Sequence, residues 1–279
     1  VVLAAGAVLM IVLLWLFTAV RLWQDRQFVQ DQARLNLQNI AISFKEHSMA
    51  SIRNTDEALR IIKYHYESSG SKDFALLNGY FEQGAIDVSF LNQVGIINAE
   101  GIYEFSNLKS HKKVDLSDRE HFRVHRDGYP YTLFISKPVI GRASGKWSIQ
   151  LTRRLENKDG SFKGVAVASF DPNFFADYYR KIDLGPDSLT ALIGVDGLPR
   201  MLRVGDQTLL SEATQRLELP EDVKNATSGA FISDQLFDRT QRLYVFEKLN
   251  HQPLLVLVGM REREVLSEYT RLQHSWLLS

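Results

Sequence analysis

The spacing of apolar and polar residues changes twice along this chain. From Val1 to Val20 no residue is charged, and only Gly6 and Thr18 interrupt the apolar run. About twenty such residues, each rising ~1.5 Å in a helix, cross a hydrocarbon core of ~30 Å, so the run predicts a transmembrane helix over 1–20. A cleaved secretory signal has a shorter apolar core, about 7–15 residues, and a small-residue cleavage site. The segment Phe17-Thr18-Ala19-Val20-Arg21 offers no such site. The pattern then becomes amphipathic, and no Gly or Pro occurs between Gly6 and Gly70. Without those two helix breakers, one long helix is predicted over 21–66. Its apolar residues form two stripes. Ala33, Leu37, Ile40 and Phe44 make one, and Phe28, Leu35, Ile42 and Met49, at strict sevens, make the other. One stripe suits the chain's own core, and the second suits either a partner helix or another internal face.

Beyond Gly70 the helical period gives way to short β-rich runs with turn signals. An internal repeat accompanies them: Ile97-Asn98-Ala99-Glu100-Gly101-Ile102 is echoed by Ile193-Gly194-Val195-Asp196-Gly197-Leu198. Each reads as a strand, an acidic-Gly turn and a returning strand. The apolar runs 164–170 and 254–259 each lead into a helix start, so two similar modules follow in series. Gly185-Pro186 breaks the aromatic helix Phe174–Tyr179 and marks the boundary. The expected architecture is α+β: a long N-terminal helix, an α/β module over 67–184, a smaller one over 185–259, both with antiparallel sheets, and a helix over 260–279. That last helix ends on Trp276-Leu277-Leu278, as a second membrane segment would begin. The chain opens on Val inside an apolar run, which suggests a piece of a longer protein whose output module lies elsewhere.

Composition narrows the function. Lys plus Arg and Asp plus Glu number 33 each, so no basic field attracts nucleic acid. The absence of cysteine excludes disulfides, thiolate metal sites and a Cys nucleophile. His121 and His125 have a metal-site spacing, but Phe122 stands where the metalloprotease pattern has Glu. Neither a Gly-rich phosphate loop nor a Gly-x-Ser-x-Gly elbow occurs. No enzyme and no cofactor are expected.

Four segments, in order, carry a resemblance: Asp115-Leu116-Ser117-Asp118-Arg119-Glu120-His121-Phe122, Ile135-Ser136-Lys137-Pro138-Val139, Gly145-Lys146-Trp147-Ser148-Ile149, and Gly160 to Val165 running on to Phe170-Asp171. Over most of residues 28–265 the chain resembles the double Cache family, tandem PAS-like sensors outside the membrane in bacterial chemoreceptors, histidine kinases and diguanylate cyclases. The resemblance implies a small-molecule pocket in the first, membrane-distal module, with the body in the periplasm or extracellular space and the anchor in the inner membrane. It implies an amino acid, organic acid or amine as ligand, while the second apolar stripe of the long helix is what points to a homodimer. Arg119 and Asp171 match the family's ligand-binding pattern, whereas His121 replaces the usual Trp and alters the aromatic platform. Phe122, Tyr131, Ser136 and Trp147 complete the expected site. Each main residue also has a structural reading: Ser117 to Glu120 forms a capping-box pattern, and Asp171-Pro172 is an N-cap followed by Pro at the first helical position. The rival function is a module that dimerises constitutively without a small-molecule ligand.

Overall fold

The computed structural model describes residues 2–68, 74–84, 90–108, 114–128, 133–179, 182, 184–210 and 216–265, with the side chains of 2–5, 7 and 8 outside the description. Helix α1 runs without a break from Val2 to Ser68, 67 residues, or roughly 100 Å at ~1.5 Å per residue. Among the described residues no helix is long and apolar enough to cross a membrane. The anchor expected over 1–20 therefore lacks support there, and part of it, like the second membrane segment expected in 266–279, lies outside the described residues.

The two stripes of α1 have different fates. Leu37, Ala41, Phe44, Ile52, Leu59 and Ile62 are buried, at the three- and four-residue steps that align one helix face. Phe28, Leu35 and Ile42 are exposed, but Met49, expected on the same seam, is half-buried and packs against the core. A short helix α2, Phe74–Glu82, follows where the sequence suggested β-rich structure. Its Phe74 stacks on Phe105 with ring centroids 4.8 Å apart, and its Leu77 is buried.

The first sheet consists of β1 (Leu91–Asn98), β2 (Tyr103–Ser106), β3 (Phe134–Ile140), β4 (Trp147–Glu156) and β5 (Phe162–Phe170), in the spatial order β2-β1-β5-β4-β3. Helix α3 (Glu120–Arg126) lies between β2 and β3 in sequence, and α4 (Pro172–Tyr179) follows β5. The second sheet consists of β6 (Leu189–Gly194), β7 (Pro199–Val204), β8 (Gln207–Thr208), β9 (Ser228–Ser233), β10 (Arg242–Lys248) and β11 (Leu254–Arg261), with a short helix α5 (Glu221–Asn225) before β9. Its order is β8-β7-β6-β11-β10-β9, so beyond the two-residue strand β8 it repeats the first sheet's order. All recorded pairings are antiparallel. The internal repeat extends to hydrogen bonds. Gly101 and Gly197 take positive φ, +87° and +78°, and each carbonyl accepts a distant N–H, from Leu116 (2.8 Å) and Leu217 (2.9 Å).

Both sheets turn an apolar face to α1. Val94, Ile96, Leu151, Ala166 and Ala168 of the first sheet share one cluster with Leu192, Met201, Val245 and Val256 of the second. Ion pairs reinforce the contact. Lys45 meets Glu247 at 2.7 Å, and Arg153 of β4 makes a two-bond pair with Asp56. The Arg153 side chain is only 9% exposed. Removing the partner of such a buried charge is costly, so Asp56→Ala should lower stability by about 3 kcal/mol, against ~0.5 kcal/mol or less for Asp25→Ala at the exposed Arg21 pair. Urea unfolding of both variants checks the contrast.

Candidate functional site

Side chains of a strand alternate between its faces, so the residues between those facing α1 point to the opposite side of the first sheet. That side carries Ile97, Tyr103, Val165 and Val167, covered by Leu116 and by Phe122 of α3. It also carries polar side chains in the middle of the sheet. Gln93, Ser169 and Gln150 lie opposite one another on β1, β5 and β4, and all three are buried. The Ser169 hydroxyl donates to Gln150 Oε1 at 2.8 Å, and Gln93 Nε2 donates to Ser106 Oγ at 2.8 Å. On the edge strand β3 the register shifts between Ile135 and Pro138, where the ring leaves no N–H to donate. There Ser136 Oγ accepts the Gln150 N–H at 2.9 Å. A polar row thus crosses the whole sheet.

Above this row lies a recess of about 20 Å³, room for roughly one water. Tyr103, Gln150, Ser169 and Val167 belong to its sheet side, and Arg119, His121 and the β3–β4 turn at Ile140 to Ala143 close the other. An outer cleft of about 350 Å³ adjoins Asp118, Glu120, Ser136 and Lys137. Arg119, His121 and Val139 border both spaces, so they form the partition between them. Arg119 Nη2 donates to the Ile140 carbonyl at 3.1 Å. Arg142 holds Asp118 through two bonds of 2.6 and 2.7 Å and donates to the Asp115 carbonyl at 2.8 Å. The bond from Arg142 holds the Asp118 carboxyl below its usual range. These contacts clasp the β3–β4 turn to the start of α3.

Burial sets the state of the other groups. Tyr103 lies over Gly95, where a Cβ would collide with its ring and with the Phe105 carbonyl. The Tyr103 hydroxyl is buried without a hydrogen-bond partner, and burial raises its pKa well above the ordinary phenol value. His121 is held down to about 4, first by desolvation and then by Arg119, His125 and Arg142, with Asp118 opposing. His125 is likewise pushed to about 4 by desolvation, with Arg154, Arg153 and Lys63 adding to it against the bond to Thr152. Its Nε2 lies 2.9 Å from Thr152 Oγ1. Both imidazoles are neutral at pH 7.

The sequence-predicted residues separate accordingly. Arg119 and His121 come together at the recess, and Ser136 joins the outer cleft. Phe122 is a core residue, 5.5 Å edge-to-face from Phe162. Trp147 starts β4 in the series of Ile149 and Leu151, which face α1, and is absent from the recess wall. Asp171 also stands outside that wall; its carboxylate accepts the Asn173 N–H at 2.9 Å and its carbonyl the Phe174 N–H, so it caps α4. Tyr131 lies outside the described residues. The expected capping box does not form: Arg119 is the N-cap of α3 with no side-chain cap bond, and the Ser117 N–H goes to Asp115 Oδ1 at 2.8 Å. Among the described residues no group of three or more His, Asp or Glu is placed to hold a metal. Tyr103, Gln93, Gln150, Ser169 and Arg142 were not expected at the site.

No protein-family model matches the sequence, and no curated protein matches it either. Solved structures do. The extracellular domain of rpHK1S-Z16, assigned as a histidine kinase, is 27% identical, covers 85% of this chain and 98% of its own, and has a TM-score of 0.73. The periplasmic sensory domain of the Campylobacter jejuni chemoreceptor Tlp1 is 10% identical over 85% and 98%, with a TM-score of 0.63. The ligand-binding domain of the Pseudomonas fluorescens chemoreceptor CtaA, solved with L-isoleucine, is 14% identical over 87% and 98%, with a TM-score of 0.62. This chain has the double-Cache sensor fold. Of these three structures, the first is an extracellular domain, the second a periplasmic sensory domain and the third a ligand-binding domain.

In this fold the neutral histidines make stability depend on pH. Between pH 6.5 and about 4 the unfolded chain takes up protons at His121 and His125 and the folded chain does not. Stability present above pH 6.5 is therefore lost as pH falls toward 4, by roughly 3 kcal/mol at most per histidine. Denaturant unfolding at a series of pH values should show this slope, and His121→Gln should reduce it by about half.

Proposed function

We propose that this chain is the extracytoplasmic sensory region of a bacterial transmembrane receptor, binding a small molecule beside Arg119 and passing a conformational signal across the inner membrane. The output would be a diguanylate cyclase, a histidine kinase or the chemotaxis machinery. The observation that carries ligand binding is the buried, unpartnered Tyr103 hydroxyl in the wall of a polar recess. A sheet face kept for packing alone would bury apolar side chains, since an unsatisfied polar group costs stability. Binding of L-isoleucine by CtaA, on the same fold, supports a ligand here too. In this reading the distal module spans 67–184 and contains the recess, the proximal module spans 185–259, and Gly185 with its positive φ stands at the division. Leu9 to Phe17 are apolar around the whole helix and exposed, which favours contact of this end of α1 with a membrane surface or an apolar partner; no described helix is long and apolar enough to cross a membrane. Ligand binding then shifts the population between two arrangements of the helices.

A homodimer belongs to the same proposal. Phe28, Leu35 and Ile42 lie seven apart and exposed on α1, the geometry of a left-handed seam between two helices. A second reading, a constitutive dimer without a small-molecule ligand, is favoured by the size of the recess, about 20 Å³.

A thermal-shift screen of the chain in detergent against amino acids, organic acids and amines separates the two. A ligand that binds only the folded state adds about 2.7 kcal/mol at a hundredfold excess over Kd. Arg119→Ala should remove that shift and leave the unliganded protein within ~1 kcal/mol. In sedimentation, Leu35→Lys and Ile42→Lys should weaken association, whereas Leu37→Lys on the buried face should unfold the subunit. Unchanged association in both seam variants would reject the dimer.

A further inference from the structure

The recess wall contains guanidinium, hydroxyl, amide, phenol and neutral imidazole groups but no carboxylate. Asp118 is committed to Arg142 through two bonds and Asp171 to the start of α4, and Glu120 borders the outer cleft but not the recess. A ligand ammonium in the recess would have no counter-charge, and burying an unpaired charge is strongly unfavourable. Arg119, in contrast, has spare capacity. It is half-buried, makes a single recorded bond to a carbonyl, and has no carboxylate partner among the described residues. A guanidinium has five donors and suits a carboxylate. Deeper in, every group is uncharged, and the Tyr103 hydroxyl has no partner.

We propose that the recess, once opened to the outer cleft, takes a small monocarboxylic acid with an uncharged hydrogen-bonding tail, of the hydroxy-acid class, with its carboxylate on Arg119 and its hydroxyl on Tyr103. This rests on the sensory reading above and narrows its ligand to acids without an ammonium. The carboxylate replaces the Ile140 carbonyl as the acceptor for Arg119. Since Arg119 and His121 form the partition, that exchange joins the recess to the outer cleft of about 350 Å³, within the roughly 300–1,000 Å³ of ordinary ligand pockets. Release of Ile140 also loosens one of the two clasps on the β3–β4 turn, while Arg142 keeps the other.

Calorimetric titration of the chain in detergent with matched compounds tests this: lactate and 2-hydroxybutyrate, the corresponding propionate and butyrate, alanine and 2-aminobutyrate, and lactamide. The hydroxy acids should bind tightest, the plain acids about tenfold more weakly for one lost hydrogen bond, and the amino acids and the amide not measurably. Tyr103→Phe, which keeps the packing, should erase the difference between hydroxy and plain acids, and Arg119→Gln should abolish binding of both. Preferential binding of amino acids, lost in Arg119→Gln, would overturn the ligand class and leave the sensory reading standing. Binding of acids unaffected by either substitution would overturn the recess as the site. No binding of any acid at millimolar concentration would also overturn the proposal.

Discussion

Leu37, Ala41, Phe44, Ile52, Leu59 and Ile62 are withdrawn from water along one face of α1, and residues of both sheets close over them in a single apolar cluster. Burial of this stripe constrains both modules. Each sheet must give α1 its apolar face, which leaves the opposite face free for other chemistry. The second sheet fills that face with its own apolar cluster around Leu202, Tyr244, Phe246 and Leu257. The first sheet does not: across its centre it places Gln93, Ser169 and Gln150. The repeated strand order thus gives one module built for packing on both sides and one with a polar interior under α3.

The shared helix also ties the two sheets together. Asp56 and Lys63 tie α1 to β4, and Lys45 ties it to β10. A packed interface of this kind moves between discrete arrangements more readily than it bends. A change at the β3–β4 turn next to Arg119 therefore has a direct route to α1 through β4, which pairs with β3 and holds Asp56 through Arg153.

Much of this was legible in the sequence where a local rule and a long-range one agree. The gap without Gly or Pro forecast a continuous helix, and the acidic-Gly turns at Gly101 and Gly197 forecast the repeated hairpin, because positive φ at a tight turn is a local demand. The heptad at Phe28, Leu35 and Ile42 was visible as well, but Met49 turned into the core, since a period of 3.6 drifts against strict sevens. Helix α2 was missed because a nine-residue apolar segment has too few turns to show its period. Arg119 and His121, named through the resemblance, lie together beside the recess. Trp147 and Asp171 lie outside the recess wall, the first because the face of a strand depends on register and the second because it caps α4. The alternation Ser148-Ile149-Gln150-Leu151-Thr152 was present throughout. A single strand of that kind reads as half solvated, and only the covering by α3 turns its polar side into a buried one.

The claim on which the account turns is that a small molecule acts at the outer face of the first sheet. Hydrogen exchange of the whole chain, compared with and without a bound acid, examines it directly. The account predicts altered exchange at 115–122 and 140–150, around Arg119, Gln150 and the β3–β4 turn, with β10 and β11 keeping their exchange near the unliganded level. Protection centred on the second sheet, with 115–122 and 140–150 unchanged, would contradict it.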